Sequence, residues 1–197
     1  MSSTAYRTSA PGARLSRQAL VAGLVATAST AVVLFNPGVS FASGVDLTCA
    51  GYSTSTYSPG ITFTPHTVHF TGAGVLGPCV SSPVTASGAT IVSGTFSGSG
   101  NDTLSCLTGA GSGTRTFHWN LSDGTTATST EKFTGALVVR PGGQTVIADQ
   151  GTIIDGAFTG DRSTSVIVLA HTDLLACARP GGLRSVSGPR SMTFTGV

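Results

Sequence analysis

The side chains that could carry out acid–base chemistry are few and far apart. Histidine occurs four times, at His66, His69, His118 and His171. His66 and His69 are three residues apart, so on a strand they would point to opposite faces and could not bind one ion together. A histidine close to an aspartate, such as His171 with Asp173, would suit a secreted hydrolase or isomerase, because general acid–base catalysis needs groups within hydrogen-bond reach.

Other catalytic and cofactor motifs are missing or out of context. Serine is abundant, but the chain has no G-x-S-x-G nucleophile elbow. Residues 72–77 match G-x-G-x-x-G, yet Pro78 and Cys79 follow where a dinucleotide site needs a helix, so we interpret them as a loop. Asp155 and Asp161 adjoin glycines, which is typical of turns. The sequence therefore indicates neither a cofactor nor a metal site, and it favours binding over catalysis.

The four cysteines indicate two disulfides if the chain is exported. Three pairings of Cys49, Cys79, Cys106 and Cys177 exist, and we favour Cys49–Cys79 with Cys106–Cys177 because each pair then encloses one block of the chain without crossing the other. No two cysteines have the close spacing of a zinc knuckle. Each bridge should add about 2–4 kcal/mol of stability, mainly by restricting the unfolded chain.

The N-terminal segment has the pattern of a secretion signal. An apolar stretch, residues 19–35, follows three arginines and is ended by Asn36-Pro37-Gly38. Ser40 and Ala42 are small residues at the positions that a signal peptidase reads, so we expect cleavage after Ala42. The alternative is a single membrane anchor, for which a stretch of 17 residues diluted with Ala, Gly, Ser and Thr is short. We expect residues 1–42 to be a signal peptide and residues 43–197 one secreted β-domain with no membrane span.

Charge argues against a nucleic-acid partner. Removing the leader takes away three of the ten basic residues and none of the eight acidic ones, which leaves a net charge of −1. The seven remaining cations are scattered along the chain and indicate no basic patch for nucleic acid.

Composition and patterning predict an all-β fold. Charged residues make up only 9% of the chain, hydrophobic residues 40%, and there are 27 glycines. A fold of many short apolar strands joined by tight turns explains the low charge, the hydrophobic content and the many glycines at once. We predict about nine or ten short strands in an antiparallel up-and-down β-barrel or a β-sandwich.

The clearest hairpin covers residues 114–133, with Ser122-Asp123-Gly124 as a three-residue turn. This register places Arg115 opposite Glu131, a pair that would contribute a few tenths of a kcal/mol on a surface. Phe117 and Trp119 fall on one face of the hairpin. We expect them to lie in the core or, if the sheet closes into a barrel, to line a ligand cavity.

A repeated octapeptide raises the question of an internal duplication. The pattern I-[IV]-x-G-x-F-[ST]-G occurs at residues 91–98 and again 62 residues later at 153–160. Its tail, F-[ST]-G, recurs at Phe70, Phe133 and Phe194 with almost the same period. If the chain is duplicated, Phe96 and Phe158 must occupy equivalent places in the fold.

These features together resemble a class of small secreted four-cysteine, β-rich proteins of high-GC Gram-positive bacteria. The resemblance rests on the leader, the cysteines, the G-x-F-x-G-D turn at residues 156–161, and Gly181-Gly182 after the last cysteine. It implies no activity, and no functional residue is taken from it.

We interpret the chain as a secreted, disulfide-stabilised binding module for a small apolar ligand or a cell-envelope partner. The alternatives are a secreted hydrolase or isomerase that uses a histidine and an aspartate, and a structural protein of a surface or matrix.

Overall fold

The computed structural model describes residues 44–139, 145–169 and 174–196, and within them the chain forms a closed antiparallel barrel of eight strands. Each strand pairs with the next along the chain, and the last pairs with the first. In chain order the elements are β1 (Val45–Ile61), β2 (His66–Ser81), β3 (Ile91–Leu104), β4 (Gly109–Leu121), β5 (Thr126–Val139), β6 (Thr145–Gly156), β7 (Arg162–Leu169), α1 (Leu174–Ala178) and β8 (Leu183–Thr195).

The all-β class and the up-and-down barrel are confirmed, and the described strands number eight rather than nine or ten. The strands are longer than predicted, with 17 residues in β1 and 16 in β2. Residues 72–77, which we had interpreted as a loop, lie inside β2, because glycine is tolerated in a strand where another backbone or side chain comes close. β2 ends at Ser81, and beyond it Pro83 makes one isolated bridge to Thr90.

The hairpin prediction is confirmed in its register. Arg115 pairs with Glu131, Phe117 with Ser129, and Trp119 with Ala127. Gly124 has a φ of 84°, the left-handed conformation that the three-residue turn requires.

The hypothesis of an internal duplication is contradicted by the places that the two octapeptides occupy. Residues 91–98 lie entirely within β3, whereas residues 153–160 leave β6 after Gly156 and continue as a turn. Phe96 is therefore a strand residue, while Phe158 is a turn residue with a φ of 63°. The two octapeptides are similar because both contain strand-forming residues followed by glycine, but they occupy different places in the fold.

The prediction for the leader, a signal peptide at residues 1–42, falls outside the described residues. Among the described residues, no helix is long and apolar enough to cross a membrane.

Inward-facing side chains fill the barrel in three layers. We call the end with the β4–β5 turn the hairpin end and the end with α1 the helix end. Between two apolar layers lies a charged layer, defined as Arg115, Glu131, Asp149 and Arg190 with the hydroxyls of Ser53, Ser163 and Ser165. The hairpin-end layer contains Leu47, Cys49, Leu76, Ala89, Ile91, Phe96, Phe117, Trp119, Leu121, Ile153, Met192 and Phe194. The helix-end layer contains Ile61, Val68, Leu104, Cys106 and Cys177.

Both disulfides form as predicted. Cys49 and Cys79 face each other in the β1–β2 register and close that strand pair. Cys106, just after β3, bonds to Cys177 in α1. This second bridge fastens the helix over its end of the barrel, where both sulphur atoms join the apolar layer.

Inward glycines make room for the largest side chains. A Cβ atom on Gly94 would lie 2.5 Å from Cε3 of Trp119 and 2.8 Å from the carbonyl oxygen of His118. A Cβ atom on Gly113 would lie 2.7 Å from Cζ of Phe133. Because real Cβ atoms do not approach so closely, each ring fits only against a residue without a side chain.

We predict that Gly94→Ala destabilises the barrel by about 1–3 kcal/mol, because the added methyl group must displace Trp119 or the β4 backbone. Gly72→Ala is the matched control, since its Cβ atom would meet Ser55 Oγ at 3.4 Å and the carbonyl oxygen of Thr54 at 3.8 Å, which are ordinary contact distances. Urea unfolding of the two variants measures the difference. Equal stability of the two variants would contradict the close packing of Trp119 on Gly94.

Candidate functional site

Trp119 and Phe117, the predicted cavity residues, are fully buried at the hairpin end. Their rings stack at a centroid distance of 5.0 Å, and Trp119 Nε1–H donates a hydrogen bond to Ser129 Oγ at 2.9 Å. Phe194 packs edge-on against both rings. The two residues belong to the apolar core, and their assignment to a ligand cavity stays a prediction.

The described histidines are not joined by a hydrogen bond to a carboxylate. His66 Nδ1 lies 2.9 Å from the carbonyl oxygen of Thr64, and His69 Nδ1 lies 3.3 Å from Asn101 Oδ1. His118 is exposed on the outer surface. His171 and Asp173 lie outside the described residues. In the part of the chain that is described, no three His, Cys, Asp or Glu side chains come together as metal ligands.

The structure does bring together charged side chains, and it does so inside the barrel. Arg115 Nη1 donates to Glu131 Oε2 at 2.7 Å, and Nη2 donates to Asp149 Oδ2 at 2.9 Å. Glu131 accepts a second, short hydrogen bond from Ser163 Oγ. All three charged side chains are almost completely buried. The Arg115–Glu131 pair is therefore not the weak surface pair that the sequence suggested.

Arg190 completes this layer from the opposite side of the barrel. Its Nη2 lies 3.8 Å from Asp149 Oδ2, and its Nη1 donates to Ser165 Oγ at 2.6 Å. The guanidinium carbon lies 4.8 Å from the ring centroid of Phe96. Burial and the nearby Arg115 lower the pKa of Arg190 to about 9, so it stays charged at neutral pH. Two arginines and two carboxylates thus balance each other.

A small cavity lies beside the charged layer, with a volume of about 50 Å³. Aromatic rings form much of its wall, and its polar groups include the charged-layer residues Arg115, Asp149 and Arg190. Its lining comprises Ser55, Tyr57, Phe70, Gly72, Phe96, Gly98, Asp102, Arg115, Phe133, Ile147, Asp149, Ile167 and Arg190. The cavity is about a third of the ~150 Å³ in which an engineered apolar cavity holds benzene.

Asp102 is the unusual group of this cavity. Its Oδ1 is buried and has no hydrogen-bond partner in the described part of the chain. Gly111, opposite Asp102 in the β3–β4 register, provides the space for it, since a Cβ atom there would collide with the carboxylate. Burial, assisted by the charge of Asp149, raises the pKa of Asp102 to about 6. Burial and the same two carboxylates raise the pKa of Tyr57 to about 12.

A larger groove lies on the outside of the barrel over β5, β6 and β7, with a volume of about 510 Å³. Lys132, Thr152 and Arg162 are register partners across the three strands, and Thr134, Gln150 and Thr164 form the neighbouring row. We call these six residues the cationic face. They are all exposed, and Ile154 borders them.

Neither the charged layer nor the cationic face was predicted from the sequence, although part of the signal for the charged layer was available. Arg115 has the same strand parity as Phe117 and Trp119, which places its side chain on the buried face. The cationic face depends on the pairing of three strands, which local patterns do not specify.

We predict that Arg115→Met costs about 3–5 kcal/mol of stability, because it leaves Glu131 and Asp149 buried without their main partner. Arg184→Met, at an exposed arginine of β8, is the control and should change stability by no more than about 0.5 kcal/mol. Urea unfolding tests both. Restoring stability with Glu131→Gln and Asp149→Asn in the Arg115→Met background would confirm the electrostatic cause, and equal effects of the two arginine variants would contradict it.

We predict that Asp102→Asn stabilises the protein at pH 7.5 but not at pH 3.5, in buffer of low ionic strength. A raised carboxyl pKa costs stability fully above the folded-state value of about 6, and the cost disappears below the ordinary 3.8. Allowing for solvent screening, we expect a gain of about 1 kcal/mol at the higher pH. Urea unfolding at both pH values, with the exposed Asp155→Asn as control, measures it. A difference from wild type that does not change with pH would refute the assignment.

Comparison with protein-family models, with curated proteins and with solved structures finds no match to this chain. The resemblance to small secreted four-cysteine proteins therefore stays an expectation.

Proposed function

We propose that this barrel is a secreted, non-catalytic binding module that recognises an acidic polymer of the cell envelope through the cationic face. The observation that carries the proposal is the row Lys132–Thr152–Arg162, in which two cations flank a hydroxyl on three adjacent strands. The two disulfides suit an oxidising compartment, and the N-terminal pattern of the sequence suits export.

The spacing of the cations suits a polymer with repeated acidic groups. Neighbouring strands lie about 4.8 Å apart, so the Cα atoms of Lys132 and Arg162 are roughly 10 Å apart. Flexible lysine and arginine side chains can close on one anionic group or reach two successive ones. Arginine also offers two parallel donors to a carboxylate or phosphate.

The second row supplies the groups that recognise hydroxyl-rich chains. Thr134, Gln150 and Thr164 present hydroxyl and amide groups that both donate and accept hydrogen bonds. Ile154, about half exposed, adds an apolar surface beside them. No acidic residue belongs to the groove lining, so an anion meets no like charge there.

The alternative of a module that binds a small apolar ligand has less support. The interior cavity of about 50 Å³ is too small for an apolar ring, and charged groups form part of its wall. The outer groove, at about 510 Å³, has the size range of ligand sites. The geometry therefore favours a cell-envelope partner over a small apolar ligand.

Binding to immobilised polygalacturonate and to poly(glycerol phosphate), with neutral dextran as the uncharged polymer, tests the proposal. We expect salt-sensitive binding to at least one acidic polymer and none to dextran, because exposed charge contacts weaken as ionic strength rises. The preferred polymer distinguishes carboxylate from phosphate recognition.

We predict that the double variant Lys132→Met, Arg162→Met binds the acidic polymer about tenfold more weakly, which is the loss expected for two exposed charge contacts. Arg184→Met should bind like wild type, because it removes an exposed cation from another strand. Biolayer interferometry at 50 mM salt measures both. Unchanged affinity of the double variant, or equal binding to dextran, would exclude the cationic face as the site.

A further inference from the structure

A second groove lies on the outside of the barrel, over β1, β2, β3 and β4, with a volume of about 570 Å³. Serine and threonine side chains supply its polar groups, and the small residues Gly72, Ala73 and Gly98 complete the lining. No charged side chain is found among the described residues that line this groove. We call its hydroxyl-bearing residues the hydroxyl face: Thr54, Thr56, Thr71, Ser97, Ser99, Thr114 and Thr116.

The hydroxyl face and the cationic face share one row of register partners. Thr114 pairs with Lys132 on one side and with Ser99 on the other. Ser99 pairs with Thr71, which in turn pairs with Thr56. At about 4.8 Å between neighbouring strands, the whole row measures roughly 29 Å along the sheet. In order, its members are Thr56, Thr71, Ser99, Thr114, Lys132, Thr152 and Arg162.

Side chains of the hydroxyl face are held in place by hydrogen bonds between strands. Thr56 Oγ1 lies 2.7 Å from Thr71 Oγ1, and Thr54 Oγ1 lies 2.8 Å from Ser187 Oγ. A hydroxyl group has one proton and two lone pairs, so each such pair keeps one proton and three acceptor sites for a ligand. Because threonine is also stiff about χ1, these groups lose little freedom when they bind.

An exposed apolar row borders the hydroxyl face on the side of the hairpin end. Tyr52, two residues before Thr54 on β1, is about half exposed. Its register partners Val75 and Pro189 are exposed as well. An aromatic ring with a hydroxyl group offers an apolar surface and a hydrogen-bonding tip together. Sugar rings have the matching chemistry, with C–H groups on their faces and hydroxyl groups around their rim.

We propose that the hydroxyl face binds the uncharged groups of the same polymer whose acidic groups lie on the cationic face, and that this polymer is an acidic polysaccharide. The inference rests on the proposed function, because Lys132 and Arg162 hold the acidic groups. The chain lies across the strands and follows the shared row around the barrel. A polysaccharide presents hydroxyl groups on every ring, whereas a poly(glycerol phosphate) chain has few to offer.

Hydroxyl contacts alone do not hold a neutral polymer. Each hydrogen bond to the ligand replaces one to water, so its net contribution is small. Once the cationic face has bound the charged units, the next units of the same chain meet the hydroxyl face at a high effective concentration. The hydroxyl face should therefore strengthen the binding of long acidic chains and leave that of short ones unchanged.

Oligogalacturonates of defined length test the proposal by biolayer interferometry at 50 mM salt. A trimer covers the cationic face, whereas an octamer extends past Thr114 onto the hydroxyl face. The octamer also offers the cationic face several equivalent registers, which by itself raises its affinity. Comparing variants at each length, and not the two lengths alone, therefore isolates the contribution of the hydroxyl face.

The variant Thr71→Val, Ser99→Ala removes two hydroxyl groups from the shared row and leaves the charge unchanged. We expect it to bind the octamer about tenfold more weakly than wild type does, and the trimer equally well. Equal trimer affinity also shows that the variant is folded. Thr67→Val, Thr103→Val is the matched control, because these exposed residues are also register partners on β2 and β3 but do not line the groove. It should bind both oligomers like wild type.

The outcomes separate this proposal from the proposed function. If wild type binds no acidic polymer, the cationic face is not a site and the hydroxyl face falls with it. If Lys132→Met, Arg162→Met weakens octamer binding while Thr71→Val, Ser99→Ala does not, the proposed function stands and the role of the hydroxyl face is overturned. Tighter binding to poly(glycerol phosphate) than to polygalacturonate would overturn the assignment to a polysaccharide.

Discussion

The limited width of a closed eight-stranded barrel is the constraint on which the other features depend. Side chains just fill such an interior, so a large side chain on one strand requires a small one on its neighbour. Trp119 lies over Gly94, and Phe133 over Gly113, at distances where even a methyl group would collide. The many glycines of the sequence are thus in part interior residues, and not only the turn residues that composition suggests.

A charged layer in the middle of this narrow core is unexpected on hydrophobic grounds alone. Removing two arginines and two carboxylates from water is costly, and the cost is offset only when each group has its partners. Arg115 bridges Glu131 and Asp149, while Ser163 and Ser165 supply hydroxyl groups to the layer. Phe133 and Phe96 lie against the guanidinium groups. The layer ties β4, β5, β6, β7 and β8 together through side chains as well as through the sheet.

The sequence allowed the fold class to be predicted but not the site, and the difference has a physical cause. Alternation along β4 and the Ser122-Asp123-Gly124 turn are local, and they led to the correct hairpin register. The cysteine pairing followed from chain order. By contrast, the ion pairs of Asp149 and Arg190 join residues that approach only when the barrel closes. The repeated octapeptide was misleading, because one copy lies within β3 whereas the other leaves β6 and continues as a turn.

The interior and the cationic face lie on opposite sides of the same strands. The strand register that places the inward side chains therefore also places the outward ones. Along β6, Asp149, Gly151 and Ile153 point inward, while Gln150, Thr152 and Ile154 point outward. A slip of one residue in β5 would turn Glu131 to solvent and Lys132 into the core. Such a slip is opposed by the buried pair of Glu131 with Arg115, which needs this register. The charged layer therefore holds Lys132 beside Thr152 and Arg162, and an internal electrostatic arrangement determines the chemistry of the outer surface.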